Sequence, residues 1–360
     1  MRISEIMNMI LPLYRTGTPL TLVGAPGIGK SDTVRKLPDV LSEATGEDFG
    51  LVVVEASTLD APDVIGFLVP TKDPDTGAAV ARYTKPDIIR QIERDGRQFG
   101  VLFVDEIGQA DTLVQKALAP LFIDGKLGEY NIPEGWYVIS ATNRVEDRAG
   151  VNKELSHFTN RQCRVEIDSN IDDWTAWGRE AGVHHMLLAF ANFRPGVVMS
   201  DTVPAKPGPY CTPRSFTAAA NFLNELVDGD DERELPADST TQAVVAGYVG
   251  EGTAAEIFAF LKVHNLLPTF AEIVADPEKA MVPPDDRLDA AYAAAGLITA
   301  KADHKTVDAA FQYATRLPIE LQTSIAATLV RTMAGSALNS PAIAKFVSQH
   351  KALILGSITE

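Results

Sequence analysis

The run Gly24-Ala25-Pro26-Gly27-Ile28-Gly29-Lys30-Ser31 constrains this chain more than any other: a glycine, four residues, a second glycine, then lysine and serine. Before it stands Pro19-Leu20-Thr21-Leu22-Val23, apolar and strand-like, and after it residues 32–37 have helical spacing. In a strand, loop and helix of this kind the glycines accept backbone angles that other residues resist. Successive N–H groups can then turn inward around a polyphosphate at the positive end of the helix. Gly24, Ala25, Pro26, Gly27, Ile28, Gly29, Lys30 and Ser31 are therefore expected to hold a nucleoside triphosphate, with Asp32 beside them at the helix start. Lys30 would bridge the β- and γ-phosphates as a point charge. The Ser31 hydroxyl would face Mg²⁺, which takes oxygen ligands and keeps much of its water.

The bulk properties narrow the partners. At 360 residues with 46% apolar side chains the chain is expected to form two or three soluble domains. Its apolar runs, such as residues 101–104 and 186–191, are too short to span a bilayer, and an acidic residue interrupts its first five residues; the expectation is a cytoplasmic protein. Cys163 and Cys211 form no CxxC pair and are expected to be buried thiols, with neither a disulfide framework nor a structural zinc site. A net charge of −16 repels the nucleic-acid backbone on average, so nucleic acid is an unlikely partner.

The elements follow in order along the chain. Residues 3–15 show a helical period, with Pro12 expected to end or kink it. Leu51-Val52-Val53-Val54-Glu55 reads as a strand covered on both faces. Residues 67–70 and 78–83 flank a turn-rich stretch and read as a hairpin leaving the core sheet, and residues 86–94 as a helix. Gly100-Val101-Leu102-Phe103-Val104-Asp105-Glu106 is a buried strand whose two acids fall at its carboxyl end, where open parallel sheets bind ligands. Asp105 would hold Mg²⁺ through water, and Glu106 would polarise the water that attacks the γ-phosphate. A helix over residues 112–122 and a second hairpin around 126–132 lead to a strand over 136–143. Its terminal Asn143 is placed to orient that water.

The phosphate loop, the strand ending Asp105-Glu106, the strand ending at Asn143 and the downstream Asn160-Arg161 together resemble the AAA+ ATPases, and within them the MoxR-type branch. The hairpin-like excursions at 66–84 and 124–136 favour that branch. The resemblance is dense over residues 3–168 and thin beyond. It implies an α/β fold: a parallel five-stranded AAA+ P-loop NTPase sheet flanked by helices, then a small all-α lid and a C-terminal helical domain. The expected boundaries are 1–180, 181–264 and 265–360. It further implies a homo-oligomeric ring, usually a hexamer, with ATP between neighbours and an arginine of one subunit reaching the γ-phosphate of the next. Arg161 sits in the matching place; Arg164, Arg144 and Arg148 are alternatives. Arg214, after Thr212-Pro213, is similar to the sensor arginine of the lid.

His184 and His185 are expected at the surface or at a helix cap, and residues 267–360 as Ala-rich helices without catalytic pattern. The resemblance implies an ATP-hydrolysing, chaperone-type enzyme with ATP and Mg²⁺ as cofactors, acting on a protein client that bears a von Willebrand factor A-type domain. A DNA-directed motor or clamp-loader-like ATPase, and an ATP-binding scaffold with little turnover, remain as alternatives; the charge opposes the first and Glu106 the second.

Overall fold

The computed structural model describes all residues except 74, 145–146, 148–160, 201, 205–206, 231–233, 264–266, 334 and 351–360. They divide into two compact units, Met1–Asp173 with Asp201–Ala205, and Trp174–Ser200 with Lys206–Glu360.

The first unit is built on five parallel strands: β1 (Leu20–Val23), β2 (Phe49–Glu55), β5 (Phe99–Asp105), β8 (Trp136–Thr142) and β9 (Cys163–Glu166), in the spatial order β2-β5-β8-β1-β9. Side chains alternate between the two faces of a strand, and β5 shows the consequence. Val101 and Phe103 join a core formed with Ile6 and Ile10 of α1 (Ile3–Thr16) and Val34, Leu37 and Leu41 of α2 (Lys30–Thr45). Leu102 and Val104 join the opposite core. There they meet α3 (Ala61–Ile65) at Val64, α4 (Asp87–Asp95) at Ile88 and Ile92, and α5 (Thr112–Asp124) at Val114 and Leu118. Coverage on both faces is why this strand is an unbroken apolar run.

The excursions form as expected. Strands β3 (Leu68–Lys72) and β4 (Ala79–Tyr83) pair antiparallel in an exposed ribbon, and β6 (Lys126–Leu127) pairs with β7 (Tyr130–Asn131). Pro12 neither ends α1 nor defines its boundary: the helix continues to Thr16 and is closed by Gly17, whose N–H donates to the Tyr14 carbonyl. Burial of Ile6 and Ile10 outweighs the one backbone bond that the proline removes.

Gly100 lies under the Trp136 indole, and a Cβ there would stand 2.8 Å from three ring carbons. Gly100→Ala is expected to lower stability by about 1–3 kcal/mol through overpacking. Chemical denaturation should show a lower midpoint with an unchanged slope; an unaltered midpoint would mean that the indole moves aside freely.

The second unit is helical among its described residues. Trp174, Phe190, Phe216 and Phe260 form one aromatic cluster, and the helices Leu288–Lys301, Val307–Ala314 and Ile319–Thr332 share another apolar core. His184 caps the helix His185–Phe193 by accepting the Met186 N–H, as a cap reading expects. It is not a surface residue, however. Both histidines are 3% exposed and their rings stack at 4.5 Å, because the apolar helix they open is itself buried. Cys211 is buried, and burial pushes its thiol up to about 12; Cys163 is only half-buried, since it starts an edge strand. No helix among the described residues is long and apolar enough to cross a membrane.

Candidate nucleotide site

The phosphate loop leaves β1 at the carboxyl end of the sheet. Gly24 donates its N–H to the Thr142 carbonyl, which ties the loop to β8, and passes so close to Ile167 that a Cβ would meet its carbonyl oxygen at 2.5 Å. Gly27 and Gly29 have φ of 80° and 98°, the left-handed region open to glycine at little cost. Gly29 is also the N-cap of α2, so the loop runs straight into the positive end of a 16-residue helix.

Lys30 is 7% exposed and folds back over the loop. Its Nζ donates to the carbonyls of Gly24 at 2.7 Å and Ala25 at 2.8 Å and to Asn143 Oδ1 at 3.0 Å. The Ser31 hydroxyl donates to Asp105 Oδ2 at 2.6 Å. Ser31 and Asp105 thus form an adjacent pair of hard oxygen donors beside the loop, a set that fits Mg²⁺ completed by phosphate oxygens and water. Asp32 is exposed on the first turn of α2.

Glu106 follows with φ of 55°, one of two non-glycine residues with positive φ among those described. Its N–H donates to Asp105 Oδ1 at 2.9 Å, and its own carboxylate Oε2 accepts from the Ser57 hydroxyl at 2.7 Å. A strained backbone held by two side-chain bonds is the kind of departure found at functional positions. Ser57 escaped the sequence reading. It becomes visible only when β2 is known to lie beside β5 with Glu55 opposite Asp105, because residues just past β2 then adjoin those just past β5.

The structure therefore gathers the loop, Lys30, Ser31, Asp105, Glu106 and Asn143 at one end of one sheet. It does not bring Arg161 there. Arg161 is exposed and precedes β9, whose Cys163 pairs with Leu20 and whose Glu166 pairs with Val23. It lies six residues before the level of Gly24, where the loop begins, roughly 20 Å along a parallel strand. Arg164 is exposed within β9. Arg144 is engaged by Asp147, with Nη2 at 3.1 Å from Oδ1, and stands 3.9 Å from Glu166. Arg148 and Asn160 lie outside the described residues. Arg214 is exposed in the first turn of the helix Pro213–Glu225, which Thr212 caps, in the second unit.

No protein-family model and no curated protein matches the chain. Among solved structures it is similar to a point variant of Thermotoga maritima RuvB at 14% identity, covering 72% of this chain and 71% of that one with a TM-score of 0.40. A second RuvB point variant gives 13% identity, 71% and 68% coverage and a TM-score of 0.37. A provisionally assigned ATPase from Cytophaga hutchinsonii gives 13% identity, 89% and 79% coverage and a TM-score of 0.31. Five parallel strands in the order β2-β5-β8-β1-β9, with the phosphate loop after β1 and a helical region beyond, make a parallel α/β sheet whose carboxyl end carries the loop.

Proposed function

We propose that this chain is an ATP-hydrolysing AAA+ enzyme of MoxR-like type that works as a ring, a hexamer by preference, and remodels a protein partner. The observation that carries the hydrolytic part is the convergence of Ser31 on Asp105 at 2.6 Å and of Lys30 on Asn143 at 3.0 Å, which unites the ends of β1, β5 and β8 in one pocket. ATP would lie in the loop with its phosphates on the backbone N–H groups and Lys30. Mg²⁺, held by Ser31 and through water by Asp105, would neutralise developing charge on the phosphates. Glu106 would take the proton of the attacking water, and Asn143 would orient that water.

The position of Arg161 supports action between subunits. A guanidinium at the amino end of an edge strand is too far from its own loop for a side chain to span. An edge strand with an exposed arginine suits contact with a neighbour, where a planar fork can meet the transferred phosphoryl group. Arg214 would act as the sensor arginine of a lid at 181–264, with 265–360 as a helical domain for ring or partner contact. The client bears a von Willebrand factor A-type domain in this proposal.

Arg161→Ala is expected to bind MgATP normally and to hydrolyse it about 10³-fold more slowly. Mixing it with Lys30→Ala subunits should restore part of the phosphate release, because the intact Arg161 of one faces the intact loop of the other. Failure of the mixture to recover, with both variants folded, would remove the trans arginine. A particle that stays monomeric with and without ATP would remove the ring.

A further inference from the structure

Polar side chains interrupt the apolar run at the middle of the central sheet. Thr21 in β1 and Ser140 in β8 are both 0% exposed, and they lie directly opposite one another in the strand register. Their neighbours Leu20, Leu22, Ile139 and Ala141 all enter the core against α1 and α2, so Thr21 and Ser140 point to the other face. There the Thr21 and Ser140 hydroxyls are 2.7 Å apart, and Thr21 donates to the side-chain oxygen of Gln162. The donor count fixes the direction. Thr21 has one hydroxyl proton and gives it to Gln162, so Ser140 must donate to Thr21. The chain of bonds runs Ser140 to Thr21 to Gln162.

The placement in sequence gives this chain of bonds its meaning. Thr21 stands three residues before Gly24, and Ser140 three before Asn143. Gln162 directly follows Arg161. The Cys163 N–H also donates to the Pro19 carbonyl at 2.8 Å, so the amino end of β9 is fastened to β1 through both backbone and side chain. The amide is not there for packing alone. Gln162 Nε2 is buried with no partner among the described residues, a cost that an apolar side chain of the same length would avoid.

We propose that Gln162 is the positioning residue for Arg161: its amide, held by Thr21, which Ser140 supports in turn, sets where the edge of the sheet presents the guanidinium to a neighbouring subunit. The inference rests on the trans role of Arg161 above. It links the strands that carry the phosphate loop and Asn143 in one subunit to the arginine offered to the next.

The test uses the full chain with Gln162→Met, which keeps length and removes the polar tie, and Thr21→Val, which keeps shape and removes the donor. Both should bind an ATP analogue with Mg²⁺ as the parent does and release phosphate about 10-fold or more slowly, as a misplaced transition-state donor requires. Each should then be rescued by Lys30→Ala subunits, as Arg161→Ala is, because the defect lies in what the subunit presents and not in its own pocket. A merely structural role would weaken nucleotide binding in the same subunit and give no rescue. Unchanged turnover in both variants, or loss without rescue while Arg161→Ala is rescued, overturns the inference alone. Full turnover by Arg161→Ala overturns the trans role itself and the inference with it.

Discussion

Lys30→Ala is expected to raise the Kd for MgATP by about 10²-fold, corresponding to the loss of one or two charge-assisted hydrogen bonds to phosphate. The lysine is held over the loop before any ligand arrives. It is buried, and it donates to the Gly24 and Ala25 carbonyls and to Asn143. Little side-chain entropy remains to be lost when phosphate oxygens replace those carbonyls as acceptors. Truncation removes both the charge and the organising contacts of the loop, so the variant should also melt earlier. Displacement of a fluorescent nucleotide checks the affinity; an unchanged Kd would show that the loop binds through its backbone alone.

The second large effect belongs to Glu106. Glu106→Gln is expected to reduce turnover by about 10²–10⁴-fold, the usual worth of a positioned general base. Nucleotide affinity should stay within about threefold, well under 1 kcal/mol. The substitution is suited to the question because it spares the structure. Glutamine can still accept the Ser57 hydroxyl, and the Glu106 backbone N–H still reaches Asp105. What it lacks is the ability to take a proton at neutral pH. Equilibrium binding combined with phosphate release separates the outcomes, and a fall in both together would mean that the carboxylate holds the site together instead of acting on water.

Local pattern made much of this site readable in advance. The phosphate loop announces itself because its glycines, lysine and serine are contiguous and its flanking strand and helix are short-range features. Asp105 and Glu106 stand out because a run as apolar as 101–104 ends abruptly in two acids. What depends on which strand neighbours which was not readable. Ser57 meets Glu106 only because β2 lies beside β5, and Thr21 meets both Gln162 and Ser140 only because β9 and β8 flank β1. Pro12 does not end α1 for a related reason. Proline's local preference is worth less than the burial of Ile6 and Ile10 against a sheet that the local sequence cannot show. The burial of the adjacent histidines was not readable because the helix they open is enclosed by helices far away in the chain, among them Leu288–Lys301, whose Gly296 admits Ala189 at close range.

The central claim is that one pocket, formed where β1, β5 and β8 end, both holds ATP with Mg²⁺ and activates water against it. Steady-state phosphate release by the unaltered chain at saturating ATP, with Mg²⁺ and then with the metal chelated, tests it most directly, with Glu106→Gln run in parallel. The account predicts turnover that requires Mg²⁺ and disappears in the variant. Release at equal rates in both proteins, or none from a folded chain that binds MgATP, would contradict it.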